Sequence, residues 1–371
     1  MEKTMLDYIR ETPDVLNEII DNSSVYAKEL VDHYVKEGYE GICLIASGSS
    51  NNGCLCARSF MQHILDMEID IHAPFTFIHH EIDHIHNKMC IAVSQSGCST
   101  NTLDALRALK EKGHKTCCLV GRDDCDAKQI ADLTVNWHVG EETVGFVTKG
   151  VASLACFLMC FSIELAKALG KNMEEVRYQK MICKLKEAVD LHPEMVEEAF
   201  RIFGLHKEDF ISRGKVILLS SGPNYGTACE AALKIAETSC IVAQAFEAEE
   251  FLHGPLYPSV PEDLFLIIDN NDDASSARMI DIAHALKDVS GKVYVISNDP
   301  SFDDDHAFRT TKETCMYRSP LYKLACLQTL AYLMTMETNH YEPHEAIKNF
   351  KKANKVSSKS RANLYQNLQN L

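Results

Sequence analysis

Side chains that carry hydroxyl groups are concentrated in one uncharged stretch, "SQSGCST", which runs from Ser94 to Thr100. The preceding "KMCIAV" is typical of a buried strand, and the following "NTLDALRALKEKG" is typical of an amphipathic helix. A helix N-terminus carries free N–H groups and a partial positive charge, and nearby hydroxyls add further donors for an anion. We therefore expect this loop to bind a small phosphate ester. Helix capping is the alternative, but it accounts for only one or two of the hydroxyls.

A second serine-rich loop, "SGSSNNG", follows the first predicted strand, "GICLIA". Ligands of open α/β sheets bind beyond the carboxyl ends of the strands, where both serine loops would lie. The matching loop in the second half of the chain, "DNNDDASS", instead carries Asp269, Asp272 and Asp273, whose carboxylates would repel a phosphate. The sequence therefore predicts one phosphate site, in the first half. Neither a P-loop nor a convincing dinucleotide-binding motif is found.

Candidate acid–base groups lie in the second half. Glu230, Lys234 and Glu237 stand on one face of a predicted helix, "ACEAALKIAETS". By spacing alone, an ordinary surface ion pair is the alternative interpretation. His253 precedes Gly254 and Pro255, which predict an exposed loop, and histidine is the natural acid–base group at neutral pH. The alternative is a structural role, which is the more common one for a single histidine.

The segment "FIHHEIDHIHNK" is rich in potential metal ligands. These residues are His79, His80, Glu81, Asp83, His84 and His86. Their spacing matches no zinc motif, so we expect a polar connecting segment. We expect no metal and no other cofactor.

Composition and charge narrow the functional class. The chain has 371 residues and a formal net charge of -16, which argues against binding to nucleic acid. Its 15 cysteines are scattered without a CxxC pair, as is typical of reduced cytoplasmic proteins. The N-terminus "MEKTMLDYIRETPD" lacks an apolar signal core. The apolar run "VASLACFLMCFSIELAKALG" contains Glu164 and Lys167, so a buried helix is favoured over a membrane span.

Strand-like and helix-like segments alternate from about residue 40, which predicts an α/β protein with parallel sheets. Two pairs of segments also recur at nearly the same offset: Gly48 matches Gly222, and Ser94 matches Asp269. We interpret this as two copies of one doubly wound domain, although chance similarity of βα units is the alternative. The predicted parts are an N-terminal helical segment (1–38), a first domain (39–172), a helical linker (173–205), a second domain (206–340) and a tail (341–371).

The chain resembles the sugar isomerase (SIS) family in its paired-domain form, and most of all the isomerase half of glucosamine-6-phosphate synthase. The resemblance covers roughly residues 40 to 350. It is carried, in the family's order, by "SQSGCSTNTL", "ETVGFVTKG", "EAALKIAETS" followed by "HGPL", and "EPHEAIKNFKK". It implies two SIS domains of α/β fold and a sugar phosphate as the small-molecule partner.

The resemblance also implies which residues bind the substrate. The sugar phosphate would be held by Ser50, Ser94, Gln95, Ser96 and Ser99. The pocket would be lined by Gly48, Ser49, Thr148 and Lys149.

The catalytic roles implied by the resemblance fall on the second half and the tail. Glu237 would move a proton between C1 and C2 of the sugar, with Glu230 and Lys234 flanking the reacting carbons. His253 would open the sugar ring and would serve the neighbouring subunit of a homodimer. Lys348 would be the tail lysine that approaches the open sugar, although two neighbours compete for that role: Lys351 and Lys352.

Two departures from the family narrow the expected reaction. The chain starts "MEKT", so we expect no glutaminase domain, and the usual "SQSGET" is "SQSGCS" here. We therefore expect a deglycase of the fructoselysine/glucoselysine 6-phosphate type, which releases an amine and a hexose 6-phosphate. An amino-sugar-phosphate deaminase or an aldose/ketose isomerase is the alternative. A sensor that binds a sugar phosphate without turnover represents a different class, and the presence of all four candidate catalytic residues of the second half argues against it.

Overall fold

The computed structural model describes residues 3–212, 214–270, 274–338, 345–351 and 358. The chain forms two compact units. Of the described residues, the first contains 14–183 together with 345–351, and the second contains 4–13 and 184–338 apart from the gaps named above. The boundary at Cys183 falls within the helical segment that was expected to join the two copies.

The first unit is built on a five-stranded parallel sheet in the order β2-β1-β3-β4-β5. Its strands are β1 (Gly41–Ala46), β2 (Ile69–His72), β3 (Lys88–Ser94), β4 (Thr116–Val120) and β5 (Leu133–Asn136). The helices that begin in the first 183 residues are α1 (Met5–Asp21), α2 (Ser23–Tyr26), α3 (Lys28–Glu37), α4 (Ser49–Leu65), α5 (Pro74–Thr76), α6 (Thr100–Glu111), α7 (Lys149–Ala168) and α8 (Glu175–Val189).

The second unit repeats this design with a parallel sheet in the order β10-β9-β8-β6-β7. Its strands are β6 (Val216–Ser220), β7 (Ala243–Glu247), β8 (Leu264–Ile268), β9 (Val293–Ile296) and β10 (Ala307–Phe308). The remaining helices are α9 (His192–Phe210), α10 (Tyr225–Ser239), α11 (Ala248–Leu252), α12 (Ser276–Leu286), α13 (Pro320–Thr338) and α14 (Glu345–Lys351).

The two sheets share one strand order, because β6 to β10 take the places of β1 to β5. Gly48 and Gly222, which the repeat paired, both adopt positive φ angles, of 56° and 53°, two residues after the end of β1 and of β6. Glycine tolerates this conformation without a steric penalty. The predicted fold of two α/β domains is confirmed.

Helix α7 is long and apolar enough to cross a membrane, but 83% of its most apolar window is buried inside the protein. It packs against α4 at Gly53, where an added Cβ would lie 2.9 Å from a side-chain carbon of Leu154. The expectation of a buried helix is confirmed.

The histidine-rich segment, which we expected to be a polar connection, folds into two short helical turns. Phe77–Glu81 forms one turn of π-helix, and Ile82–His84 forms a 3-10 turn. Phe77, Ile82 and Ile85 pack into a hydrophobic cluster beneath β1 and β3. The apolar side chains between the histidines therefore fold this segment onto the sheet, which the polar interpretation overlooked.

His192 begins α9 in the second unit and is completely buried, with neither ring nitrogen hydrogen-bonded among the described residues. Burial lowers its pKa to about 3. Between pH 6.5 and pH 3 the unfolded chain therefore binds a proton that the folded chain excludes, and stability falls as the pH falls.

We predict that His192→Leu reduces this acid sensitivity. Acidification from pH 7 to pH 5 should cost the wild type about 2 kcal/mol more stability than the variant, from the difference between the two pKa values. Urea unfolding of both proteins at each pH measures this difference. An equal loss in both proteins would contradict the assignment.

Candidate phosphosugar site

The loop after β3 gathers its hydroxyls around Ser94, the last residue of that strand, which is only 3% exposed. Ser94 Oγ donates to Ser99 Oγ at 3.0 Å and lies 3.5 Å from Ser96 Oγ. The loop turns at Gly97, whose φ is 59° and where any Cβ would clash with Cys125 at 2.5 Å. The strand end and the tight turn therefore hold three hydroxyls close together.

Ser99 occupies the N-cap position of α6. If the hydroxyls of this loop served only to cap the helix, its side chain would bond to the first turn. Its side chain makes no capping hydrogen bond to the helix and accepts the Ser94 hydroxyl instead. The first backbone N–H of α6, that of Thr100, donates to the backbone carbonyl of Ser358 at 3.1 Å. Ser99 therefore does not cap α6 with its side chain, and capping does not account for the cluster of hydroxyls.

The loop after β1 lies beside this one. Gly48 precedes α4, and Ser49 and Ser50 form its first turn. Asn101 Nδ2 of α6 donates to Ser47 Oγ at 2.8 Å and so joins the two loops. Ser47 belongs to the predicted serine-rich loop but was given no role of its own. Asn101 was not singled out, because an isolated asparagine in a helix carries no distinguishing pattern.

A third segment joins the site at the start of α7, where Thr148 and Lys149 are buried. Their backbone N–H groups donate to Glu142 Oε1 at 2.7 and 2.9 Å. Gln95 Nε2, from the loop after β3, donates to Glu142 Oε2 at 2.7 Å. All nine predicted binding and pocket residues therefore lie on three linked segments of the first unit. Glu142 was missed, although it is the first letter of the quoted "ETVGFVTKG".

Cys98 stands where the family usually has an acidic side chain. It is buried among apolar residues of the sheet and of α6, including Ala92, Val120 and Leu103. Cysteine in place of an acidic residue therefore removes a negative charge from the loop and adds an apolar side chain to the core.

In the second unit, α10 carries the predicted acid–base residues on one face. Lys234 Nζ lies 3.3 Å from Glu230 Oε1 and also donates to Glu237. Glu230 is fully buried and Lys234 is 1% exposed, whereas the Glu237 side chain is 31% exposed. The surface ion pair considered above is therefore excluded.

The electrostatics of this group couple the lysine to both carboxylates. Burial lowers the pKa of Lys234, but the charges of Glu230 and Glu237 outweigh it, and the pKa lies above its ordinary value. The lysine therefore stays charged at neutral pH. Glu237 is the carboxylate of this group that a dissolved molecule can reach.

His253 directly follows α11 and lies in the exposed turn that the sequence predicted. The same turn exposes 87% of Tyr257. Lys348 falls in α14, but its side chain lies outside the described part of the chain.

In the second repeat, the residue that matches Ser94 is Asp269, and its carboxylate forms hydrogen bonds within its own unit. Asp269 is 1% exposed, and its Oδ2 accepts hydrogen bonds of 2.8 Å from Ser276 and Ser297. Lys323, which is also buried, donates to the Asp269 carbonyl oxygen. The Asp269 carboxylate thus turns inward to the serines of its own unit. Asp272 and Asp273 lie outside the described residues.

Among the residues that the structure describes, no group of three or more His, Cys, Asp or Glu side chains is arranged to hold a metal ion. In the histidine-rich segment, Glu81 contacts His72 instead, at 2.5 Å.

We predict that replacing Ser94 and Ser96 together by alanine weakens binding of a hexose 6-phosphate by at least about a hundredfold. Each hydroxyl that donates to a charged group contributes roughly 1.5–3 kcal/mol. Isothermal calorimetry measures the change. Ser221→Ala with Ser275→Ala is the matched control, since these hydroxyls lie 3.3 Å apart in the second repeat. An equal loss in the control would contradict a site confined to the first unit.

Comparisons with known proteins agree with this architecture. The SIS domain model matches residues 40–163 and 209–316, one segment in each unit. Glutamine–fructose-6-phosphate aminotransferase (isomerizing) of Thermococcus kodakarensis is 30% identical over 258 residues, which cover 68% of this chain and 41% of that protein. The chain spans about half the length of the curated relatives it matches.

Solved structures show the same fold. The C-terminal domain of glucosamine-fructose-6-phosphate aminotransferase from Francisella tularensis has a TM-score of 0.82 at 20% identity, covering 91% of this chain and 97% of that one. Glucosamine-6-phosphate deaminase from Thermotoga maritima has a TM-score of 0.68 at 17% identity, covering 90% and 94%. With a SIS segment matched in each of its two parallel-sheet units, the chain belongs to the SIS family.

Proposed function

We propose that this protein is a phosphosugar-processing enzyme whose first unit binds the phosphate and whose second unit supplies the acid–base chemistry. Family membership supports a phosphosugar function of the isomerase or deaminase type. The observation that carries the catalytic part is the α10 group, in which a buried lysine holds one buried and one accessible carboxylate. A protein that only senses a sugar phosphate would have no use for such a group.

The finer proposal is a deglycase that acts on a 6-phosphorylated sugar–amine. Glu237 would remove a proton from C1 of the ketoamine and return it to C2, and water would hydrolyse the resulting imine to a free amine and a hexose 6-phosphate. One carboxylate can carry the proton in both directions. The positive charge of Lys234 would stabilise the enediol-type intermediate, and the remote phosphate contacts would position the substrate.

An amino-sugar-phosphate deaminase is the second candidate. It is favoured by the shared fold with the Thermotoga maritima glucosamine-6-phosphate deaminase. The same proton transfer between C1 and C2 would then precede the loss of ammonia.

We also propose a cytoplasmic location. The chain has 15 cysteines without a CxxC pair, and most of them are buried. Cysteines in this number and arrangement are typical of compartments where glutathione and thioredoxin keep thiols reduced. Fractionation of cells that contain the protein tests this location, and recovery outside the cytoplasm would contradict it.

Incubation with a panel of 6-phosphorylated sugar–amine adducts and amino-sugar phosphates tests the reaction. We expect a free amine together with a hexose 6-phosphate. Ammonia from an amino sugar would favour the deaminase instead, and interconversion without loss of nitrogen would favour an isomerase. Binding without turnover of any compound would contradict an enzymatic function.

Two variants of α10 are the controls for this reaction. Glu237→Gln should lower kcat by roughly two to four powers of ten while KM changes little, because only the base is lost. Glu230→Gln should weaken binding and turnover together. Exchange of the substrate's C1 or C2 hydrogen with solvent deuterium should vanish in the first variant and persist, slowed, in the second. The reverse pattern would exchange their roles.

We further propose that the working unit is a homodimer in which His253 serves the neighbouring subunit. Its exposed position, with Tyr257 in the same turn, fits a contact with a second copy. Mixed Glu237→Gln and His253→Ala chains should then regain activity that neither variant has alone. Hybrid dimers without activity would contradict a shared site.

A further inference from the structure

Glu142 occupies a connection between β5 and α7 that the proposed mechanism does not use. Its two carboxylate oxygens serve different partners. Oε1 accepts the backbone N–H groups of Thr148 and Lys149, and Oε2 accepts the side-chain amide of Gln95. One side chain therefore links the start of α7 with the loop after β3.

These three hydrogen bonds are strong for a physical reason. Burial raises the pKa of the Glu142 carboxyl, while the bonds from Gln95, Thr148 and Lys149 oppose that rise. A hydrogen bond to a charged acceptor in poorly solvated surroundings is roughly twice as strong as one between neutral groups. Loss of one donor would leave a partly desolvated charge with fewer partners.

Gln95 is held on its other sides as well. Its backbone carbonyl accepts the N–H of Gly121 at 3.0 Å. Its side chain lies against Gly150, where an added Cβ would come within 2.1 Å of Gln95 Oε1. The Gln95 side chain is thus confined between Glu142 and the first turn of α7, and the acceptor Glu142 determines which way its amide faces.

We propose that Glu142 is a positioning residue of the phosphosugar site, acting through Gln95 on the serine loop Ser94–Ser99. This inference rests on the proposed function, because it assumes that the serine loop binds the substrate's phosphate. Glu142 sets the side-chain conformation of Gln95 and thereby the loop that carries the hydroxyls. Its capping of α7 is a second, separable effect.

The chemistry of the carboxylate makes the two effects separable by mutation. In Glu142→Gln the amide oxygen can still accept the N–H groups of Thr148 and Lys149, so the start of α7 is preserved. The new amide nitrogen then faces the donor nitrogen of Gln95, and the Gln95 amide must rotate or move. A rotated Gln95 amide can accept from the new nitrogen, but that bond is neutral and reversed, so Gln95 loses its charged acceptor and its native orientation. Glu142→Gln therefore disturbs the link to the loop and leaves the cap.

Calorimetric titration with fructose 6-phosphate tests this proposal. The proteins are the wild type, Glu142→Gln, Gln95→Ala, the double variant, and Glu141→Gln as a control at the exposed neighbouring glutamate. We expect Glu142→Gln to weaken binding about tenfold, as one hydrogen bond to a charged group would. In the Gln95→Ala background it should add little, because coupled residues are not additive. Glu141→Gln should bind within about twofold of the wild type.

Fluorescence of Trp137, the single tryptophan, serves as the folding control, because its indole donates to Ser153 of α7. An unchanged emission spectrum in each variant would indicate that this part of the first unit is intact. Wild-type affinity in Glu142→Gln, or full additivity with Gln95→Ala, would overturn the positioning role while leaving the proposed function in place. A wild type that binds no sugar phosphate would overturn both.

Discussion

The parallel pairing of β1 with β3 is the constraint on which the candidate site depends. Their register aligns Ala46 with Val93, so that both strands end at the same edge and their serine loops leave the sheet side by side. An antiparallel pairing would send the two loops to opposite edges. Hydroxyls some fifty residues apart in the chain converge for this reason alone. The hydrogen bond from Asn101 to Ser47 then joins what the sheet has brought together.

Much of this could be predicted from the sequence, because it depends on local patterns. Apolar runs of five or six residues predicted β1 and β3, and the recurrence of Gly48 at Gly222 predicted a duplicated sheet. These features need no knowledge of long-range contacts, since strand propensity and the positive φ of a glycine are properties of short segments.

The contacts that the sequence did not predict are long-range and made by ordinary residue types. Glu142 is separated by 47 residues from Gln95, its partner in the serine loop. A glutamate in a polar connection has no pattern that distinguishes it from a solvated one. The burial of Lys234 could not be predicted either, because Glu–Lys spacing of this kind is common on helix surfaces. Only tertiary packing separates the two cases.

The inward carboxylate of Asp269 has a consequence for how the two copies diverged. The second copy carries, covalently, an anion at the position where the first copy is proposed to receive one from solution. Ser276 and Ser297 therefore have a hydrogen-bond acceptor as soon as the chain folds. The folded arrangement of this loop does not depend on a bound metabolite. A duplicated domain can lose its ligand in this way without losing its shape. A copy that binds no ligand can use its helices for another task, such as the acid–base role proposed for α10.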